Sequence, residues 1–255
     1  MSESEAGGTL GLEGRVALVT GATRGLGLAV ARKLCACGCD VLLNYGHSEE
    51  DAGKALDSLS GLKGTAAAVR ADLGEPRAME RALETVRKRH GRLDVLVHNA
   101  ATWTPMRSLA PDHAALREDL ATALEPLLSA AALLPGLMRA GGRVIAVSSS
   151  GAHRVVPGYV SLGVAKAALE SLVRYLAVDL SEHGIAVNAV STAKLDKGPG
   201  TVDEKAAAAL AGRTPAGRLT TPADVADVVA LLCTAEAAWL RGQVVTADGG
   251  LGLRV

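Results

Sequence analysis

R-V-A-L-V-T-G-A-T-R-G-L-G, residues 15–27, joins a short apolar run to a glycine-rich turn and then to a segment of helical periodicity. Residues 15–20 read as a buried strand and residues 24–37 as an amphipathic helix. Gly21, Gly25 and Gly27 let the backbone turn tightly and approach a pyrophosphate, whose charge is favoured at the start of the following helix. The spacing is G-x-x-x-G-x-G, which departs from the G-x-G-x-x-G of the commonest dinucleotide fingerprint.

The same strand-then-helix rhythm continues to the other end of the chain. Further strand candidates are residues 40–45, 64–69, 93–97, 143–148, 185–190 and 243–246, with helical periodicity between them, as in residues 76–90. Such alternation predicts an α/β fold: one doubly wound domain spanning residues 1–255, with a seven-stranded parallel sheet and helices on both faces. Ligands of such sheets bind at the carboxyl ends of the strands, so the loops that follow strands carry the chemistry. Residues 191–214 break the rhythm and read as a lid over the substrate, while residues 1–12 are expected to be loosely ordered.

Composition narrows the classes of partner. The 255 residues include 27 basic and 27 acidic side chains, so no electrostatic footprint for nucleic acid or an anionic membrane is present. The acidic, polar start M-S-E-S-E-A-G-G is unlike a secretory signal, and Glu125, Pro126 and Pro135 interrupt the most apolar region; a cytoplasmic protein is expected. Cys35, Cys37 and Cys39 in C-A-C-G-C lack the C-x-x-C spacing and histidine partners of a metal site. They read instead as small buried hydrophobes around a helix end.

Taken together, the glycine loop, A-D-L at residues 71–73, N-A at Asn99 and Ala100, S-S-S at residues 148–150, V-N at residues 187–188 and R-G-Q-V-V-T-A-D-G-G at residues 241–250 resemble the short-chain dehydrogenase/reductase family over nearly the whole chain. The resemblance implies a Rossmann-like fold and a nicotinamide dinucleotide. Its cofactor residues would be Gly21, Thr23, Arg24, Gly25, Leu26 and Gly27 in the loop, Tyr45, His47 and Ser48 after the second strand, Asp72 and Leu73 after the third, Asn99 and Ala100 after the fourth, Lys166, and Thr192 after the sixth. The second strand ends N-Y-G-H-S, with no acid before Glu49 to chelate ribose hydroxyls, whereas Arg24, His47 and Ser48 suit a 2′-phosphate. NADPH is therefore expected rather than NADH.

The family's usual active site is Asn, Ser, Tyr and Lys, with the last two as Y-x-x-x-K. Ser149 and Lys166 keep the usual register, but four residues before Lys166 stands Leu162, and the tyrosine is Tyr159 in Y-V-S-L-G-V-A-K. The helix that would supply the asparagine, R-E-D-L-A-T-A-L-E-P-L-L, has none; Ala123 stands near its place, and Pro126 is expected to distort that helix. Y-x-x-x-x-x-x-K is the pattern of the divergent enoyl-acyl-carrier-protein reductases, and G-V-A-K-A-A-L-E-S-L-V-R-Y-L and T-P-A-G-R are similar to their NADPH-dependent subgroup.

The spacing suits that chemistry. In a ketone the hydride acceptor bears the oxygen, whereas in an enoyl thioester negative charge appears on an oxygen two carbons beyond the acceptor. A shift of three residues along a helix moves the phenol about 4.5 Å, the order required. By this reading Lys166 holds the nicotinamide ribose and favours the enolate, Tyr159 hydrogen-bonds the thioester oxygen, and Ser149 adds to or orients that bond. The α-carbon proton comes from Tyr159 or from water, and Trp103 walls the acyl pocket or merely packs the loop. The expected activity is reduction of an acyl thioester's 2,3 double bond, on acyl carrier protein or coenzyme A, in fatty acid or specialised polyketide-type metabolism. Two alternatives are an NADPH-dependent 3-oxoacyl or ketone reductase and a catalytically impaired binding or assembly subunit. Pairing of long helices over residues 112–139 and 158–182 into a homotetramer or homodimer is also implied.

Overall fold

A computed structural model describes residues 10–198 and 204–253. Among them, β1 (Val16–Val19), β2 (Asp40–Tyr45), β3 (Thr65–Arg70), β4 (Leu93–His98), β5 (Met138–Val147), β6 (Ala186–Ser191) and β7 (Val244–Thr246) form one seven-stranded sheet in the order β3-β2-β1-β4-β5-β6-β7. Every pairing is parallel, and the order reverses between β1 and β4. The crossovers run through α1 (Gly25–Ala36), α2 (Glu49–Leu59), α3 (Ala78–His90), α4 (His113–Ala131), α5 (Val160–Asp179) and α7 (Pro222–Leu232), with α6 (Glu204–Arg213) ahead of α7.

Both faces of the sheet are covered because successive side chains of a strand point opposite ways. Ala17 and Val19 of β1 enter one core with α1 and α7, while Val16 and Leu18 enter the other with α3, α4 and α5. β4 repeats the pattern, with Val95 and Val97 on the first face and Leu96 on the second. Each fully buried leucine here contributes about 2 kcal/mol of hydrophobic free energy. Arg218 of T-P-A-G-R forks onto Asp224 at 2.6 and 2.7 Å, and Asp224 closes a capping box with Thr221 at the start of α7.

Several boundaries differ from the sequence reading. β5 begins at Met138, opposite Leu93, and not at the expected residue 143, because M-R-A-G-G continues the strand through an irregularity. That ends α4 at Ala131 rather than near residue 139. Leu12 is fully buried and its carbonyl accepts from Cys39 Sγ, so the expectation of a loose start is corrected at residue 12; residues 1–9 lie outside the described residues. Of the expected lid over residues 191–214, α6 is described and residues 199–203 are not. All four cysteines are buried free thiols, and burial pushes Cys35, Cys39 and Cys233 up to about 12. Among the described residues no metal-binding cluster occurs, and no helix is long and apolar enough to cross a membrane.

Candidate active site

At the carboxyl end of β1 the chain has space only for glycine. A Cβ on Gly27 would stand 2.1 Å from the Gly21 carbonyl oxygen and 2.6 Å from Asn99 Nδ2, and Gly21 and Gly25 have φ of +60° and +54°. Asn99 Nδ2 donates to the carbonyls of Thr20 and Gly21 at 3.0 and 3.1 Å, so this residue ties the glycine loop to the end of β4. The resulting close turn, opening onto the N-terminus of α1, fits a dinucleotide pyrophosphate. Thr23 is half-buried in the turn, Leu26 is buried beneath it, and Arg24 caps α1 with an exposed side chain that makes no capping bond.

The neighbouring strand ends complete the cradle. His47 lies 3.4 Å from Asp72, whose other oxygen accepts from Gly74 N. Ser48 caps α2 by accepting from Asp51 N, which leaves its hydroxyl proton to donate. Tyr45 and Leu73 are half-buried at the ends of β2 and β3. Thr192 is buried, and its hydroxyl donates to Ala247 O at 2.8 Å.

The side chains singled out in S-S-S and Y-V-S-L-G-V-A-K converge. Tyr159 is not inside the helix, as the sequence reading has it, but occupies its N-cap, with its ring packed against Gly151. Burial holds that phenol above its ordinary range, against the opposing effect of Ser149. Leu162, at the usual tyrosine position, is buried against Ala123 and Ala165. Lys166 is buried and donates to Val147 O at 2.6 Å; burial lowers its pKa to about 8, against the raising effect of Asp119 and Glu170. The Trp103 ring stands 6.2 Å from that of Tyr159, tilted by 44°. Beside the phenol opens a groove of about 230 Å³ with mainly apolar walls, including Val155, Val156, Val160 and Val164.

Three buried polar residues escaped the sequence reading. Glu170, one turn beyond Lys166, accepts from Ser148 Oγ at 2.5 Å and so ties α5 to the end of β5. Asp119 accepts from Thr102 Oγ1 at 2.7 Å and Ser161 Oγ at 2.5 Å. His98 donates from Nε2 to Ala123 O at 3.1 Å, while the Thr20 hydroxyl, already accepting from Asn99 N and Ala100 N, donates to Nδ1 at 3.2 Å. That network requires the neutral ring, and burial lowers the imidazole pKa to about 3. Pro126 has no N–H to give the Thr122 carbonyl one turn earlier, yet α4 runs on through the proline. A charged residue on the apolar stripe of R-E-D-L-A-T-A-L was the available signal for Asp119.

The chain matches a family model described as enoyl-(acyl carrier protein) reductase over residues 21–252. It is 35% identical over 246 residues to 1-cyclohexenylcarbonyl-CoA reductase of Streptomyces collinus, covering 94% of this chain and 87% of that one. Versicolorin reductase stcU of Emericella nidulans is 32% identical over 255 residues, covering 94% and 96%. Among solved structures, a short-chain dehydrogenase from Burkholderia cenocepacia in complex with NADP superposes with a TM-score of 0.86 at 32% identity, covering 94% and 99%.

Proposed function

Because this chain belongs to the short-chain dehydrogenase/reductase family, we propose that it is an NADPH-dependent reductase of the 2,3 double bond of an enoyl thioester, carried on acyl carrier protein or coenzyme A. The observation that carries this reading is Tyr159 seven residues ahead of Lys166, with Leu162 buried where the usual tyrosine would stand. The family model's description and the likeness to an enoyl-CoA-type reductase support it.

As a family member the enzyme uses a nicotinamide dinucleotide, which supplies the hydride for the β-carbon. The glycine turn would hold the pyrophosphate, and Asp72 and Leu73 would hold the adenine. Arg24, His47 and Ser48 favour the 2′-phosphate of NADPH, in keeping with a relative that binds NADP. Lys166, with Asn99, Ala100 and Thr192, would hold the nicotinamide ribose, and its positive charge would stabilise the enolate. Tyr159 donates a hydrogen bond to the thioester oxygen with Ser149 orienting the phenol, and the apolar groove beside it accepts the acyl chain.

A second reading, reduction of a 3-oxo thioester or ketone, rests on Ser149, which keeps the register of carbonyl reductases and lowers the pKa of the phenol against burial, and on the likeness to versicolorin reductase. Offering crotonyl and acetoacetyl thioesters with NADPH separates the two. Oxidation of NADPH with the crotonyl substrate is expected; oxidation with the ketone alone overturns the first reading. Leu128 of α4 and Tyr175 and Val178 of α5 are exposed, and pairing through these helices into a homodimer or homotetramer is part of the proposal. A monomer by light scattering would count against it.

A further inference from the structure

Asp119 is almost completely buried, and both of its carboxylate oxygens accept hydroxyl hydrogen bonds. A buried carboxylate costs several kcal/mol unless it is hydrogen-bonded and balanced by charge. The hydroxyls of Thr102 and Ser161 meet the first requirement, and both belong to elements that frame the phenol. Thr102 precedes Trp103, whose ring faces Tyr159, and the same loop is pinned at Met106 N to Gly158 O at 2.9 Å. Ser161 lies two residues past Tyr159, in the first turn of α5.

Towards the second requirement, Lys166 is a buried cation on α5, the helix packed against α4, and Asp119 raises its proton affinity. Groups facing Lys166 from the packed elements are Asp119 on α4, Glu170 on α5 itself, and the neutral His98 at the end of β4. Tyr159, also coupled to Asp119, completes the set at the N-cap of α5. Asp119 stands four residues before Ala123, so both lie on one face of α4, about 40° apart in azimuth and one turn apart. Relative to Ala123 and Leu162, the acid of α4 and the phenol of α5 are both displaced by about one turn towards the helix N-termini, the carboxyl-end side of the sheet.

We propose that Asp119 is a positioning residue of this site: clamped between Thr102 and Ser161, it fixes the loop and helix start that hold Tyr159 and supplies the counter-charge of Lys166 where the helix has no asparagine. The inference rests on the roles given above to Tyr159 and Lys166, not on whether the acceptor is a double bond or a ketone.

The test uses the full chain labelled with 13C at the lysine ε carbons, with the Lys166 resonance assigned by its loss in Lys166→Met. In cofactor-free Asp119→Asn the Lys166 titration is expected to move about one pH unit lower, the smaller end of what loss of a nearby opposite charge produces. An unmoved midpoint in a folded variant overturns the proposal. On whichever thioester the wild type reduces, kcat of Asp119→Asn should fall at least tenfold while KM for NADPH stays within about twofold. Should Asp119→Asn fail to fold, Thr102→Val and Ser161→Ala loosen the carboxylate without removing its charge. Lower kcat with an unmoved Lys166 midpoint is expected of them, and undiminished kcat in both overturns the proposal. If the wild type reduces neither thioester, the proposed function fails, and the lysine titration still decides the role of Asp119.

Discussion

Gly151 lies against the ring of Tyr159 so closely that a Cβ at residue 151 would stand 2.6 Å from both Cδ1 and Cε1 of the phenol. The ring lies against Gly151, with the centre of the Trp103 ring 6.2 Å from its own, so its place is set by what the β5–α5 connection leaves empty.

Gly151→Ala should therefore displace the phenol without unfolding the chain. Residue 151 is only half-buried, and a ring can tilt away from a methyl group more readily than backbone can. A misplacement of about 1 Å lowers turnover by about 10²-fold. Steady-state kinetics and thermal unfolding check this: kcat should drop by that order with Tm changed by a few degrees at most. Unchanged kcat would show that the ring position is not limiting.

Leu162 packs against Ala123 and Ala165 with almost no exposure, so the usual tyrosine position is occupied by core rather than open to substrate. The double variant Tyr159→Phe with Leu162→Tyr restores the common spacing but inserts a larger, polar ring between two alanines. Overpacking of this kind costs about 1–3 kcal/mol. Denaturant unfolding should show that loss, and the variant should not become an efficient ketone reductase. A stable variant with brisk ketone reduction would mean that residue spacing alone decides between the two reactions.

The sheet was legible because its strands are continuous apolar runs and its loops carry glycines at fixed offsets; β1 and β4 sit where those runs do. Boundaries failed where local chemistry misleads, as at Met138 and Arg139, which read as the end of a helix over residues 112–139 yet begin β5 opposite Leu93. Gly21 and Gly27 were legible for the same local reason, whereas Ser149 and Lys166 stand out through the register of the family the sequence resembles. Asp119, His98 and Gly151 were not, since each acts on a residue from another element: Ser161 lies 42 positions from Asp119, and Ala123 lies 25 from His98. Only the interruption of an apolar stripe marked Asp119 in advance.

Lys166 has its pKa lowered to about 8, burial outweighing Asp119 and Glu170. If its protonated form stabilises the enolate, kcat/KM is full below that pH and falls as pH rises through about 8, because that ratio reports groups of the free enzyme. A pH profile from 6 to 10 should show this limb. Retention of full kcat/KM at pH 10 would remove the lysine charge from the mechanism.

Arg24 is exposed at the N-cap of α1 and makes no capping bond there. A charge-assisted bond to a phosphate is worth about 1.5–3 kcal/mol. Arg24→Ala should accordingly raise KM for NADPH by about 10- to 100-fold and leave that for NADH nearly unchanged. Equal changes for both cofactors would place Arg24 on the shared pyrophosphate instead of the 2′-phosphate.

His98 predicts how the fold responds to acid. Fully buried between Thr20 and Ala123, it is held neutral, with its pKa lowered from 6.5 to about 3, chiefly by burial and then by Lys166. In the unfolded chain the ring takes up a proton near pH 6.5, whereas the folded chain cannot do so until about pH 3. The unfolded state therefore binds more protons across that window, and stability falls as pH drops through it. Between pH 7 and pH 5 the loss from this residue is about 2 kcal/mol. Urea unfolding of the wild type and of His98→Gln at the two pH values isolates it: the variant starts less stable, since a non-titrating amide must serve both Thr20 and Ala123, but its decline on acidification should be smaller by about 2 kcal/mol. Equal declines in the two proteins would mean that His98 takes up a proton in the folded state, which the Thr20 and Ala123 hydrogen bonds do not permit together.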